Sequence, residues 1–234
     1  MYSHRLCQFN SLGVEKMKKN MKKLFAAVTC VAMMTALTAC GGADNGEKAN
    51  AVTVSPLPVT IDMENLESCT LAVSLAEGDA YVDDNGAMQM KVEVFAYEQY
   101  DMVDISQLKE GDTIVRGGEE VAVESVERND AGLVSINGGE ENGGFDLYSN
   151  DETIFYEIGF NDAKAYYSLG EAEIPVSTEF QFTDASNWES DPVVYYPGDF
   201  LTDDTGIVYD FTPYNTTIVV EGGKVIAMNR TFTP

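Results

Sequence analysis

The sequence predicts a mainly β fold, an antiparallel barrel or sandwich with one short covering helix. Two observations carry that expectation. About ten short runs alternate apolar with polar residues, and turn signals such as Asn85-Gly86, Gly117-Gly118 and Gly222-Gly223 separate them roughly every 8–12 residues. Only one stretch has convincing helical spacing. Past the N-terminal leader and a short spacer about 180 residues remain, enough to bury a core without disulfides or metals.

The leader comes first in the chain. Lys16, Lys18, Lys19, Lys22 and Lys23 form a positive run, and Leu24 to Thr38 is mostly apolar and ends in small residues. This is the three-part layout of a secretory signal, too short to be a spanning helix. Its end, Leu37-Thr38-Ala39-Cys40 followed by Gly41-Gly42, resembles the lipobox of bacterial lipoproteins. That resemblance implies a diacylglycerol on the Cys40 sulfur, cleavage before Cys40 and acylation of the new N-terminus. The protein is then expected to sit in the cell envelope on the extracytoplasmic side, held to the membrane through its N-terminal lipid. Two or more acyl chains anchor stably where one does not. Residues 1–16 fit poorly before such a leader. Translation is expected to start at Met17 or Met21, with 1–16 an over-long upstream extension, 17–39 the signal peptide, 40–51 a small, polar spacer, and 52–234 one β-rich domain with a possible subdivision near 150.

Cleavage before Cys40 also narrows the chemistry. The leader holds Arg5 and five lysines but only Glu15 among the acids, so the remaining chain carries about 8 basic and 38 acidic side chains, a net charge near −30. Such a field repels nucleic acid and anionic headgroups and keeps an envelope protein soluble. The single histidine, His4, lies in the leader. Without imidazole, Ser-His-Asp and Cys-His catalysis and histidine metal ligation are excluded. Cys7 and Cys30 also leave, Cys40 is the lipidation site, and Cys69 alone remains, so no intrachain disulfide can form.

The elements follow in order. Val52 and Val54 begin extended structure that Pro56 and Pro58 confine to an edge. Cys69, Leu71, Val73 and Leu75 share one face of a strand, which makes Cys69 a small buried hydrophobe. Asp83 to Gly86 turns the chain into a return strand carrying Met88, Met90, Val92 and Val94, where core filling is the expected methionine role. From Val103 to Val126 a helical turn at 104–108, then Gly111-Asp112, Thr113 to Val115, a Gly117-Gly118 turn and Val121, Val123 and Val126 follow one another. This pattern is similar to the opening of SH3-like small barrels and implies shape, not activity. A further pair turns at Asn129 to Gly132.

Asn137 to Gly144 is the densest glycine cluster. It holds Glu140 and Glu141, no lysine follows, and strand follows it, so it is not a phosphate loop. Ca2+ suits the carboxylates and carbonyls, but the spacing of a calcium loop is absent and no cofactor is expected. Thr153 to Glu157 reads as strand. Asn161 or Asp162 caps the predicted helix, with Ala163, Tyr166 and Tyr167 as its packing face and Gly170 as its end. Glu173 to Phe182 is extended, Ile207 to Phe211 is a strand, and Thr216 to Val220 with Lys224 to Phe232 forms a hairpin.

Between these strands, Trp188, Tyr195 and Tyr196 stand among Glu189, Asp191 and Asp199. Aromatic platforms beside acids suit sugar rings or cationic groups, and the same composition suits packing at a sandwich edge. Three functions stay open. The favoured one is a non-catalytic envelope module that binds a protein or glycan. A carboxylate-based glycan hydrolase needs no histidine and would use Glu189, Asp191 or Asp199. A calcium-dependent adhesion or structural domain is the third. The lipidation reading makes a direct prediction: metabolic labelling with palmitate marks the wild-type chain, and Cys40→Ala abolishes the label.

Overall fold

The computed structural model describes residues 51–150, 153–159, 162–202 and 205–233, so the leader, Cys40 and nearly all of the spacer lie outside the described residues. Alternating side chains build the strands one at a time. β1 (Thr53–Val54) is a two-residue edge piece. β2 (Ser68–Ser74) buries Leu71 and Val73 on one face, and β3 (Ala80–Val82) leads to β4 (Met88–Tyr97), which buries Met90, Val92, Val94 and Ala96. The Asp83 carboxylate makes the intervening turn by accepting the Asn85 and Ala87 N–H groups at 2.8 and 2.9 Å. Met90 is fully buried, the core role expected of it.

The chain then leaves this sheet. β5 (Gln99–Asp101), helix α1 (Met102–Gln107), β6 (Thr113–Arg116), β7 (Glu119–Ala122), β8 (Val126–Arg128), β9 (Leu133–Ile136), β10 (Phe145–Tyr148) and β11 (Ile154–Ile158) surround a core of their own, centred on Tyr100, Ile105, Ile114, Ile136 and Leu147. Asp101 caps α1 by accepting from Val103 and Asp104, and Arg128 donates to the Ile105 and Leu108 carbonyls at its other end. Gly111-Asp112 has a physical role: the buried Asp112 carboxylate accepts the Val52 and Lys109 N–H groups, at 3.0 and 3.1 Å, and so ties the chain entering from the N-terminus to the start of β6. The Val52 donor is the main reason this carboxyl titrates below its ordinary value. The glycines at 137–144 are needed for packing. A Cβ on Gly144 would stand 2.0 Å from the Ile136 carbonyl oxygen, and one on Gly139 2.7 Å from the Asp146 carboxylate.

β12 (Tyr166–Ala185) brings the chain back and is 20 residues long. Its first half pairs antiparallel with β4, from Tyr166 opposite Tyr97 to Pro175 opposite Gln89. Its second half pairs parallel with β15 (Lys224–Thr231). β15 pairs with β14 (Thr216–Glu221), β14 with β2, and β2 with β4. The ladder β2-β4-β12-β15-β14 therefore returns to β2 and closes a five-stranded barrel with one parallel pair. In order along the chain these are strands 1-2-3-5-4, the arrangement of OB-type Greek-key barrels, an architecture that by itself assigns no function. β13 (Val193–Tyr195) adds an outer strand to the second half of β12. Inside lie Leu71, Met90, Phe180, Phe182, Ile218 and Met228, all fully buried.

Two expectations are corrected. Asn161 lies outside the described residues, and from Asp162 to Gly170 the predicted helix is replaced by a short connection and the start of β12. Gly159 N–H bonds to the Ala163 carbonyl, Asp162 takes a positive φ of 57°, and Tyr166 and Tyr167 enter the ladder opposite Tyr97 and Ala96. Three helically spaced residues do not outweigh a ladder of backbone bonds and aromatic strand neighbours. The predicted strand from Ile207 to Phe211 keeps one bridge, Phe211 to Leu75. Ile207, Tyr209 and Phe211 still pack inward, but the Val208 carbonyl accepts from the Arg230 guanidinium instead of a neighbouring strand.

Arg230 closes one end of the barrel. It is buried, bonds both carboxylate oxygens of Asp184, reaches Asp210, and lies over the Phe211 ring with 4.7 Å to its centroid. Burial alone would raise the Asp184 carboxyl, but the Arg230 and Ser186 bonds outweigh it and hold it below its ordinary value. A carboxyl with a depressed folded pKa contributes stability that is complete above its unfolded value, about pH 4, and is lost as pH falls through the folded one. Asp184→Asn is expected to lower the unfolding free energy in urea at pH 7 by about 3–5 kcal/mol and to flatten the loss of stability below pH 4. Asp210→Asn, whose side chain is 59% exposed, should change it by less than about 1 kcal/mol.

Candidate functional site

The barrel opens to the excursion where β4 ends and β12 begins. Tyrosines collect there because both strands place aromatic residues at the seam. Tyr97 meets the edges of Tyr156 and Tyr166 at centroid distances of 5.7 and 5.6 Å, Tyr156 meets Tyr148 at 5.9 Å, and Tyr166 meets Tyr214 at 5.5 Å. These edge-to-face contacts are the preferred aromatic geometry. The Lys164 ammonium lies 4.0 Å from the Tyr97 ring centroid and 4.8 Å from that of Tyr156, a cation held on ring faces.

Beside this cluster is a cleft of about 740 Å³, whose walls include Tyr166, Tyr167, Val121, Glu98, Arg116 and Glu157. Four separate stretches of chain supply them, each fixed from behind. Glu98 follows β4 directly, and its carboxylate accepts the Gly117 N–H at 3.0 and 3.1 Å. Gly117 supplies that donor from the tight β6–β7 turn, where its φ is +58°. The hydroxyl of the fully buried Tyr100 lies 2.9 Å from Glu98 and 2.9 Å from the Val115 carbonyl, so its one proton serves either acceptor. Burial first, then the Glu98 charge, pushes the Tyr100 phenol far above its ordinary value, which keeps it a neutral donor. Arg116, at the end of β6, grips Glu157 of β11 through two parallel bonds of 2.7 and 2.6 Å and stacks 4.8 Å above Phe145. The Glu157 bonds raise the arginine's pKa further.

The cleft therefore has an aromatic wall and a polar rim on which Glu98, Arg116 and Glu157 already have partners, with the exposed Glu119 beside them. Both oxygens of Glu98 and both oxygens of Glu157 accept hydrogen bonds from fixed donors. Acid–base hydrolysis would need one of two facing carboxyls protonated in apolar surroundings, whereas here Glu98 and Glu157 each accept hydrogen bonds from donors of the protein. Among the described residues no group of three or more His, Cys, Asp or Glu side chains could hold a metal ion.

The residues singled out by sequence lie elsewhere. Trp188, 72% exposed, projects from the turn after β12. Tyr195 stacks on Phe182 at 5.4 Å and belongs to the barrel core, whereas Tyr196 is 55% exposed. Asp199 accepts the Tyr196 N–H at 2.7 Å and so caps a short turn, and Glu189 and Asp191 are exposed. None of them lines the cleft. In comparisons with known proteins, no family model matches the chain and no curated relative or solved structure matches it.

Cys69 packs against the barrel core, and burial raises its thiol pKa. At neutral pH its thiolate fraction falls below that of a free cysteine. Cys69 is half-buried where the sequence predicted full burial, so native protein treated with iodoacetamide at pH 7.5 is expected to alkylate at Cys69 more slowly than protein in urea, as read by intact-mass spectrometry.

Proposed function

We propose that the chain is a lipid-anchored extracytoplasmic bacterial lipoprotein whose folded part is a non-catalytic binding module. Its cleft is suited to a neutral, hydroxyl-rich ligand, such as a stretch of envelope glycan. One observation carries the reading: the Glu98 and Glu157 carboxylates of the cleft are fixed acceptors, each held by donors of the protein itself, beside the exposed Tyr167 and the half-buried Tyr166. Sugar rings stack their C–H faces on such tyrosines and give their hydroxyl protons to such carboxylates. The acidic composition, net −25 for the whole chain, argues against phosphate-bearing ligands. The lipid anchor rests on the Cys40 motif alone.

A panel of neutral oligosaccharides titrated against the full chain in detergent, read by calorimetry, tests the proposal. At least one glycan should bind, and Tyr167→Ala should weaken it tenfold or more, about 1.4 kcal/mol, without changing the thermal midpoint. Two carboxylates in one cleft also admit the hydrolase reading. Release of new reducing ends from the same panel, lost in Glu98→Gln or Glu157→Gln, would replace binding with catalysis.

A further inference from the structure

The outer edge of β13 has no partner among the described residues. This three-residue strand pairs with β12 on one side, from Val193 opposite Asp184 to Tyr195 opposite Phe182, and no other described strand lies against it. Edge strands are usually blunted by charge, because their free backbone groups are a template for another chain. Here the edge is apolar: Val193 is 48% and Val194 44% exposed, with the exposed Tyr196 next along the chain. A second groove of about 570 Å³ lies on the paired side of β13, over β12 and β15, and is lined by Tyr196 together with Thr178, Gln181, Ile226 and Ala227. Pro192 and Pro197 bracket the strand and limit pairing to a short register.

We propose that β13 is a docking edge for a short, extended, lysine- or arginine-bearing segment of another envelope protein, which adds to the large sheet as one more strand. Charge selects that occupant. Glu189 and Asp191 precede the strand, Glu179 lines the groove, and all three carboxylates are uncommitted to any cation in the described structure. A second copy of this chain would bring the same net −25 against the edge and is repelled. In strand addition the main chain supplies affinity, and the exposed Val193 and Val194 with the nearby carboxylates supply side-chain selection. The site is separate from the cleft, so it stands or falls independently of the glycan reading.

The probe is a fluorescein-labelled heptapeptide alternating lysine and valine, titrated by anisotropy against the full chain in detergent. It should bind, and its analogue N-methylated at every central amide, equal in charge but without backbone donors, should bind at least tenfold more weakly. A glutamate-valine counterpart should not bind. The double variant Val193→Lys/Val194→Lys, with an unchanged near-ultraviolet dichroism spectrum, should lose at least tenfold in affinity. If that variant does not fold, hydrogen exchange on the wild type decides: the lysine peptide should slow exchange at residues 193–196 and leave the cleft residues unchanged. Equal binding of the methylated analogue, protection elsewhere, or self-association through this edge in sedimentation would overturn the proposal.

Discussion

A 20-residue strand has more backbone groups than any one neighbour of ordinary length can satisfy, and β12 meets this by changing partners half-way. Tyr166 to Pro175 run along β4, Val176 and Gln181 to Ala185 pair with β15, and the register shifts between Val176 and Gln181, just after the exchange. Because β4 and β15 already belong to one ladder through β2 and β14, the exchange closes the sheet into a barrel and leaves no unpaired edge among those five strands. The interior then follows: Phe180 and Phe182, on the second half of β12, face Met90, Ile218 and Met228 from the rest of the ring. The Arg230–Asp184 pair ties the last turn of this arrangement, joining the ends of β12 and β15 that would otherwise fray.

The same strand positions the cleft. β4 and β12 are neighbours in the barrel, yet about 70 residues separate Tyr97 from Tyr166, and those residues form the α1 and β5–β11 excursion with its own core. Departure and return at the same seam bring Glu98 and Tyr166 together, and the excursion sends Arg116 and Glu157 back to them. The site therefore depends on barrel closure even though most of its charged groups belong to the excursion.

The strands with a strict two-residue period were legible in the sequence: β2, β14 and β15 lie within a residue or two of their expected spans, and β4 runs three residues past the expected Val94. The Gly117-Gly118, Asp83–Gly86 and Glu221–Gly223 turns were legible because positive φ and side-chain capping are local demands. What local pattern could not reveal was partner choice. Ala163, Tyr166 and Tyr167 satisfy helical spacing and strand propensity equally, and only the presence of β4 decides between them. Ile207 to Phe211 alternates like a strand, but alternation reports which side chains face inward, not whether the backbone has a neighbour. The cleft was invisible for the same reason. Glu98, Arg116 and Glu157 are unremarkable singly and come together through topology. The conspicuous Trp188–Asp199 segment instead supplies a core ring at Tyr195 and an exposed edge.

Cations are scarce beyond Cys40, and where they are used constrains what this surface can meet. Arg230 closes the barrel end, Arg128 caps α1, Arg116 holds Glu157, Lys109 sits at the buried Asp112, Lys91 pairs with Glu171, and Lys164 rests on two tyrosine rings. These six of the eight basic side chains in that part of the chain are engaged with partners of its own fold. Most of the acids have no such counterpart, so the outward field is nearly unscreened by the protein and falls off only over the solution's Debye length, about 8 Å at physiological salt. A phosphate or a nucleic acid meets that field with few cations left to receive it. A neutral ligand ignores it, and a basic segment is drawn in by it. The scarcity that leaves arginine for structural positions thus also decides the sign of charge this surface presents to solvent.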